Sequence, residues 1–250
     1  MKIISLVNLT AMNRMTPAVR ILLVINVALF LLDSVIPYKM TEILGLYLPV
    51  NEKFAVWQYL TGMFMHHGVM HLIINMAGLF FFGCIVERAL GSKRFVTLYF
   101  LAGIGSGLIY TLVQSYEYSA GVALVSTIEA LESSSQALSG SEIYQETVYT
   151  LSRMYRTEVV GASGALYGVI VAIAMRFPNA KVSFKFIPFP IIAKYFVLGL
   201  ISIDLVLQLT GFSPFGRFMV AHSALLGGAF TGFLVMLYWR YRLPKHLEQS

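Results

Sequence analysis

Three short stretches of this chain carry side chains suited to acyl transfer. Gly161-Ala162-Ser163-Gly164 sets a serine among small residues, His222 follows Val220-Ala221, and His71 and Asn75 are four residues apart on one helix face. A serine attacks a carbonyl only when a base takes its Oγ proton and donors stabilise the oxyanion that forms. Ser163 supplies the nucleophile, His222 the base, and His71 and Asn75 side-chain donors. At a helix N-terminus Ser163 would add its own N–H and the positive end of the dipole. Gly161 and Gly164 let another backbone approach the serine. A metal centre is not expected. His67 and His71 have i,i+4 spacing, but there is no H-E-x-x-H and no acid follows in their helix before Glu87.

The elements that must position these groups are membrane helices. Of 250 residues 58% are hydrophobic and 12% charged, with mean hydropathy +0.75. Soluble chains carry about 25% charged residues, so a water-soluble fold is excluded. The net charge of +6 does not point to nucleic acid, because the basic residues fall between apolar runs. Cys84 is the sole cysteine, so no internal disulfide forms. Six runs approach the roughly 20 residues that cross a bilayer. They lie at 18–36, 69–87, 95–114, 159–176, 190–210 and 218–239, and the first lacks the cleavage site of a signal peptide. Lys and Arg concentrate at the N-terminus, 88–94, 176–194 and the tail, which hold 13 of 18. Cytoplasmic loops retain such residues, so both termini are expected in the cytoplasm. Spans two, four and six then run inward from outside, bringing His71, Asn75, Ser163 and His222 to similar depth.

Two external segments exceed simple turns. Residues 37–68 mix Tyr38, Tyr47, Phe54, Trp57 and Phe64 with a few charges and suit a structure lying in the interface. Residues 115–158 form a 44-residue polar insert, expected as helix, break, helix around the serine-rich 133–141. Asp33 and Asp204, toward the external ends of their spans, read as hydrated or paired structural carboxylates, and Glu87 and Arg88 as organisers of a cytoplasmic turn.

From about 18 to 240 the chain resembles the rhomboid family of intramembrane serine proteases. The resemblance is carried by Trp57, the H-x-x-x-x-H-x-x-x-N pattern of His66, His71 and Asn75, Glu87-x-x-x-Gly91-Ser92, G-x-S-G at Ser163, and Gly227, Gly228 and Gly232. It implies one all-α membrane domain over 1–250, a six-transmembrane-helix bundle with an interfacial first loop, an external insert at 115–158 between helices 3 and 4, and a cytoplasmic tail at 241–250. It further implies a wet cavity in which Ser163 is the nucleophile, while His71 and Asn75, with His66, Gly161 and Gly164 nearby, serve the oxyanion and substrate. The expected partners are transmembrane protein substrates and membrane lipid, not nucleic acid, with no cofactor and no metal. The expected location is a bacterial plasma membrane.

One departure bears on the chemistry. In relatives the catalytic histidine precedes two glycines by three and seven residues, and counting back from Gly228 and Gly232 reaches Leu225. His222 matches a histidine that many relatives carry three residues earlier, about 4.5 Å and 60° away on a helix. His222 is therefore taken as the base, and the alternative is a catalytically impaired rhomboid-like pseudoprotease that binds transmembrane clients. Gln58 also stands where relatives often have arginine.

Overall fold

The computed structural model describes residues 15–36, 39–132, 142–182, 190–211 and 221–242. The chain is mostly helical. Helix α1 spans Pro17–Val35, and two short helices follow in the first long connection, α2 (Met40–Leu44) and α3 (Gln58–Thr61). Next come α4 (Val69–Gly78), a π-helical turn at Leu79–Gly83 and α5 (Cys84–Leu90), which run on as one rod. Then follow α6 (Ser92–Glu132), α7 (Glu142–Arg156) and α8 (Ser163–Arg176). Two strands, β1 (Lys181–Val182) and β2 (Ile191–Ile192), pair antiparallel before α9 (Ala193–Thr210) and α10 (His222–Arg242).

Among the described residues five helices are long and apolar enough to cross a membrane, and α8 is a shorter apolar helix. The fourth expected span therefore starts late, at Ser163 rather than 159, because Gly161 takes φ +119 and Val159 pairs with Leu46 instead of entering the helix. The third expected span does not stop at 114. Nothing between 114 and 132 breaks a helix, so α6 continues to Glu132 at about 1.5 Å per residue, roughly 61 Å in all. Gly121 is the close approach for α7, where an added methyl would meet Leu151 Cδ2 at 2.8 Å. Within the insert the second helix is α7, and the expected break at 133–141 lies outside the described residues, as do Tyr38, the 218–220 start of the sixth span and the 243–250 part of the tail.

Helix α8 is the central element. Nine of its fourteen residues are buried, against five of nineteen in α1, so α8 is packed by helices on most sides. It meets α10 along Gly164 and Gly168 facing Gly228 and Gly232. A methyl on Gly168 would lie 3.1 Å from the Gly228 carbonyl, and one on Gly228 would fall on the Gly164 carbonyl itself. Small residues at four-residue spacing let two backbones touch, which is how helices associate where no water drives them together. On the other side of α10, Gly227 abuts Ile109 and Ser106 of α6, and Ser106 Oγ donates to the Ala224 carbonyl at 2.7 Å. Tyr99, Phe95, Leu79, Val19 and Val169 fill the core. The outward faces of α1 and α9, including Ile21, Val24, Leu31, Leu198, Val206 and Leu209, are exposed and apolar, a pattern that water would penalise and lipid accepts.

The α5 end of the rod is tied to α1. The buried Glu87 carboxylate accepts from the Ala18 and Val19 amides, each at 2.9 Å, and from Ser92 Oγ at 2.7 Å, satisfying the first free N–H groups of α1. Asp33 plays the same part for α2, accepting from the Thr41 amide and hydroxyl at 3.0 and 2.8 Å.

Candidate functional site

The turn that delivers Ser163 is stitched to the first connection. Leu46 and Val159 exchange both backbone hydrogen bonds, at 2.9 and 2.8 Å, and the Gly161 amide donates to the Gly62 carbonyl at 2.9 Å. The first connection is itself pinned from within by Gln58. Its amide nitrogen donates to Ile43 and Lys53 carbonyls at 3.1 and 2.7 Å, and its oxygen accepts from Tyr47 and Ala55 amides at 3.2 Å. The sequence marks Gln58 only as a departure; in the fold it is a fully buried hub. Neighbouring Trp57 is 59% exposed, with Val56 and Leu60 exposed beside it, an apolar rim suited to an interface.

Gly161 brings the serine turn against α4. A methyl there would lie 2.8 Å from His71 Nε2 and 3.8 Å from Asn75 Nδ2, so only glycine admits this approach. The His67 amide donates to His71 Nδ1 at 3.3 Å, which leaves the proton of a neutral ring on Nε2, the nitrogen facing the serine turn. Asn75 Nδ2 donates one proton to the His71 carbonyl at 2.9 Å and keeps a second. Ser163 is half-buried and opens α8, where the first N–H groups have no partner within the helix. The structure therefore brings His71 and Asn75 against Gly161, two residues before Ser163. Gly164 faces Ser106 and Ala224 instead, and so brings α6 and α10 close to the serine.

His66 is 3% exposed and stands behind His71, with ring centroids 5.1 Å apart in an edge-on arrangement. Its nearest influence on the site passes through that ring. Burial first, and the His71 ring next, hold His66 down at about 4 from 6.5. Between those values the unfolded chain binds a proton that the fold refuses, so stability is full above about pH 6.5 and falls as pH drops toward 4, by up to about 3 kcal/mol. The unfolding temperature of detergent-purified protein is expected to decline between pH 7 and 5, and His66→Gln to flatten that slope; parallel slopes would contradict it. Glu158 acts lower on the scale. Burial, the largest single influence, pushes its carboxyl up, but the His67 hydrogen bond at 3.0 Å, a backbone hydrogen bond, the His67 charge and the Tyr47 hydroxyl together hold it below the usual range, so its contribution is lost only in stronger acid.

His222 opens α10, and its Nδ1 lies 2.7 Å from Asp204 Oδ1 on α9. Tyr167, one turn into α8, donates to Asp204 Oδ2 at 2.5 Å. The structure does not join His222 to Ser163 directly: among the described residues Ser163 Oγ makes no hydrogen bond, and Leu225, one turn further along α10, is buried at 7% exposure. Asp204 is the residue that sequence reasoning placed but did not pair. The available signal was the cost of an acid in an apolar span, which requires a partner, and His222 is the ionisable residue at the start of the next helix. Among the described residues no group of three or more His, Cys, Asp and Glu side chains is disposed to hold a metal.

A bundle of apolar helices enclosing these polar groups is that of an integral membrane protein. A model of the Rhomboid domain matches residues 53–242, and the chain belongs to the rhomboid family. It is 28% identical over 184 residues to the rhomboid protease AarA of Providencia stuartii, covering 72% of this chain and 55% of that protein. Over 75 residues it is 31% identical to rhomboid-like protease 3 of Toxoplasma gondii, covering 30% of this chain and 28% of that one. It is also 36% identical over 63 residues to an inactive RHOMBOID-like protein 8 of Arabidopsis thaliana, covering 25% and 18%. The matched part thus spans about half the length of the first relative and under a third of the other two.

Proposed function

We propose that this chain is an intramembrane serine endopeptidase that cleaves transmembrane protein substrates near the external side of the bilayer. The observation that carries the reading is the approach of Gly161 to His71 Nε2 and Asn75 Nδ2, which supports two donors acting with the serine two residues further on. In this reading α8 completes a six-helix bundle, both termini are cytoplasmic in a bacterial inner membrane, and 115–158 projects outside. Ser163 Oγ attacks the scissile carbonyl carbon as His222 Nε2 takes its proton. The oxyanion is held by His71, Asn75 and the Ser163 amide. The protonated Nε2 then gives its proton to the leaving amine, and water, deprotonated by the same nitrogen, frees the acyl group.

A second reading keeps the cavity without the chemistry. Leu225 stands at the position from which relatives supply the base, and Ser163 and His222 share no hydrogen bond, so the chain would bind transmembrane clients without cutting them. The test is purified protein in liposomes with a transmembrane reporter and a fluorophosphonate probe. Cleavage with probe labelling of Ser163 is expected. An inert wild type that gains cleavage in Leu225→His would transfer the assignment to the second reading.

A further inference from the structure

We infer that Asp204 is a positioning residue for His222, so that the site uses a third side chain beyond a serine and a histidine. This rests on the proteolytic reading above. A carboxylate oxygen can only accept, so the contact between His222 Nδ1 and Asp204 Oδ1 at 2.7 Å requires the imidazole proton on Nδ1. A neutral ring then presents an unprotonated Nε2, the form a general base needs. The other carboxylate oxygen is taken by the Tyr167 hydroxyl at 2.5 Å, so Asp204 is held from α8 while it holds α10. The side chains of His222 and Asp204 are 12% and 7% exposed, and an acid so enclosed in an apolar helix is sustained by its partners.

The two histidines are thereby set in opposite forms. His71 accepts at Nδ1 and carries its proton on Nε2, as an oxyanion donor must, whereas His222 carries its proton on Nδ1, as a base must. Tyr167 lies four residues after Ser163, on the same face of α8, so the helix that presents the nucleophile also steadies the group that orients the base. When Oγ attacks, its proton moves to Nε2, and the imidazolium formed keeps its Nδ1 proton on the Asp204 contact; the carboxylate stays unprotonated throughout.

The test is Asp204→Asn in the full chain, reconstituted with a transmembrane reporter. An amide can donate to Nδ1 and so favour the wrong tautomer; kcat is expected to fall by about 10² to 10⁴ with KM within about threefold. Asp204→Glu should recover part of the loss, and Tyr167→Phe should cost about tenfold or less. In ¹⁵N spectra of histidine-labelled protein, the His222 signals, identified by their loss in His222→Gln, should change from protonated Nδ1 to protonated Nε2 in Asp204→Asn. Unchanged kcat, or a wild-type ring protonated at Nε2, overturns the inference. If the wild type cleaves nothing, the proteolytic reading fails and the role in catalysis with it, while the spectra still decide whether Asp204 sets the ring.

Discussion

On the proteolytic reading, Ser163→Ala is expected to abolish cleavage of a transmembrane reporter, and His222→Ala to reduce it to nearly the same level. Removing either member of a nucleophile and base pair costs on the order of 10⁴ to 10⁶ in kcat when the two act as a unit. The double variant should therefore be no more than a few-fold slower than either single one, far from the product of the two losses. The structure favours this coupling. Ser163 starts the helix that carries Tyr167, and His222 is bound to Asp204, which Tyr167 also holds, so one network supports both groups. Initial rates for the four proteins in liposomes provide the measurement. Full activity of His222→Ala would remove that histidine from the mechanism, and activity surviving Ser163→Ala would reject the serine protease reading.

The second large effect is structural. Gly228→Ala places a methyl on the Gly164 carbonyl, with Gly164 Cα 3.1 Å away, and the obstacle is helix backbone that cannot rotate aside. Helices α8 and α10 must separate at the level of Ser163. Overpacking costs about 1 to 3 kcal/mol where side chains can yield, and the upper end or more is expected here. That corresponds to a fall of about 10 °C in unfolding temperature. Because the widened seam lies at the serine, activity should fall well before the fold is lost. Gly199→Ala is the control. Nothing lies within 4 Å of a methyl there, and replacing a mid-helix glycine in α9 should gain up to about 1 kcal/mol. Equal melting of the two variants would contradict a backbone contact between the helices.

The pairing of His71 with Asn75 was legible because four-residue spacing reports which side chains share a helix face, and because polar groups in apolar runs are conspicuous. The runs themselves located the helices, since length and hydropathy are set by the solvent they face. Their ends were not legible in this way. Helix α6 outlasts its apolar run because propensity carries a helix onward when no glycine pair or proline intervenes, whereas α8 starts late because its chain entry depends on one positive φ. Gln58 and Asp204 show a further limit. Burial of a polar side chain is written in its partners, Ile43, Lys53, Tyr47 and Ala55 for one and Tyr167 and His222 for the other, and those are contacts between segments that periodicity does not relate.

The widened turn at Leu79–Gly83 settles how one rod serves two masters. Asn75 and Glu87 are twelve residues apart, which in a regular helix sets them about 120° from each other around the axis. Both are nevertheless 3% exposed. A π turn absorbs one residue without adding rotation, which brings the offset to about 20°. The Asn75 amide and the carboxylate that caps α1 thus face inward along a single line, so the phase of this bulge fixes the alignment of the two ends of the rod.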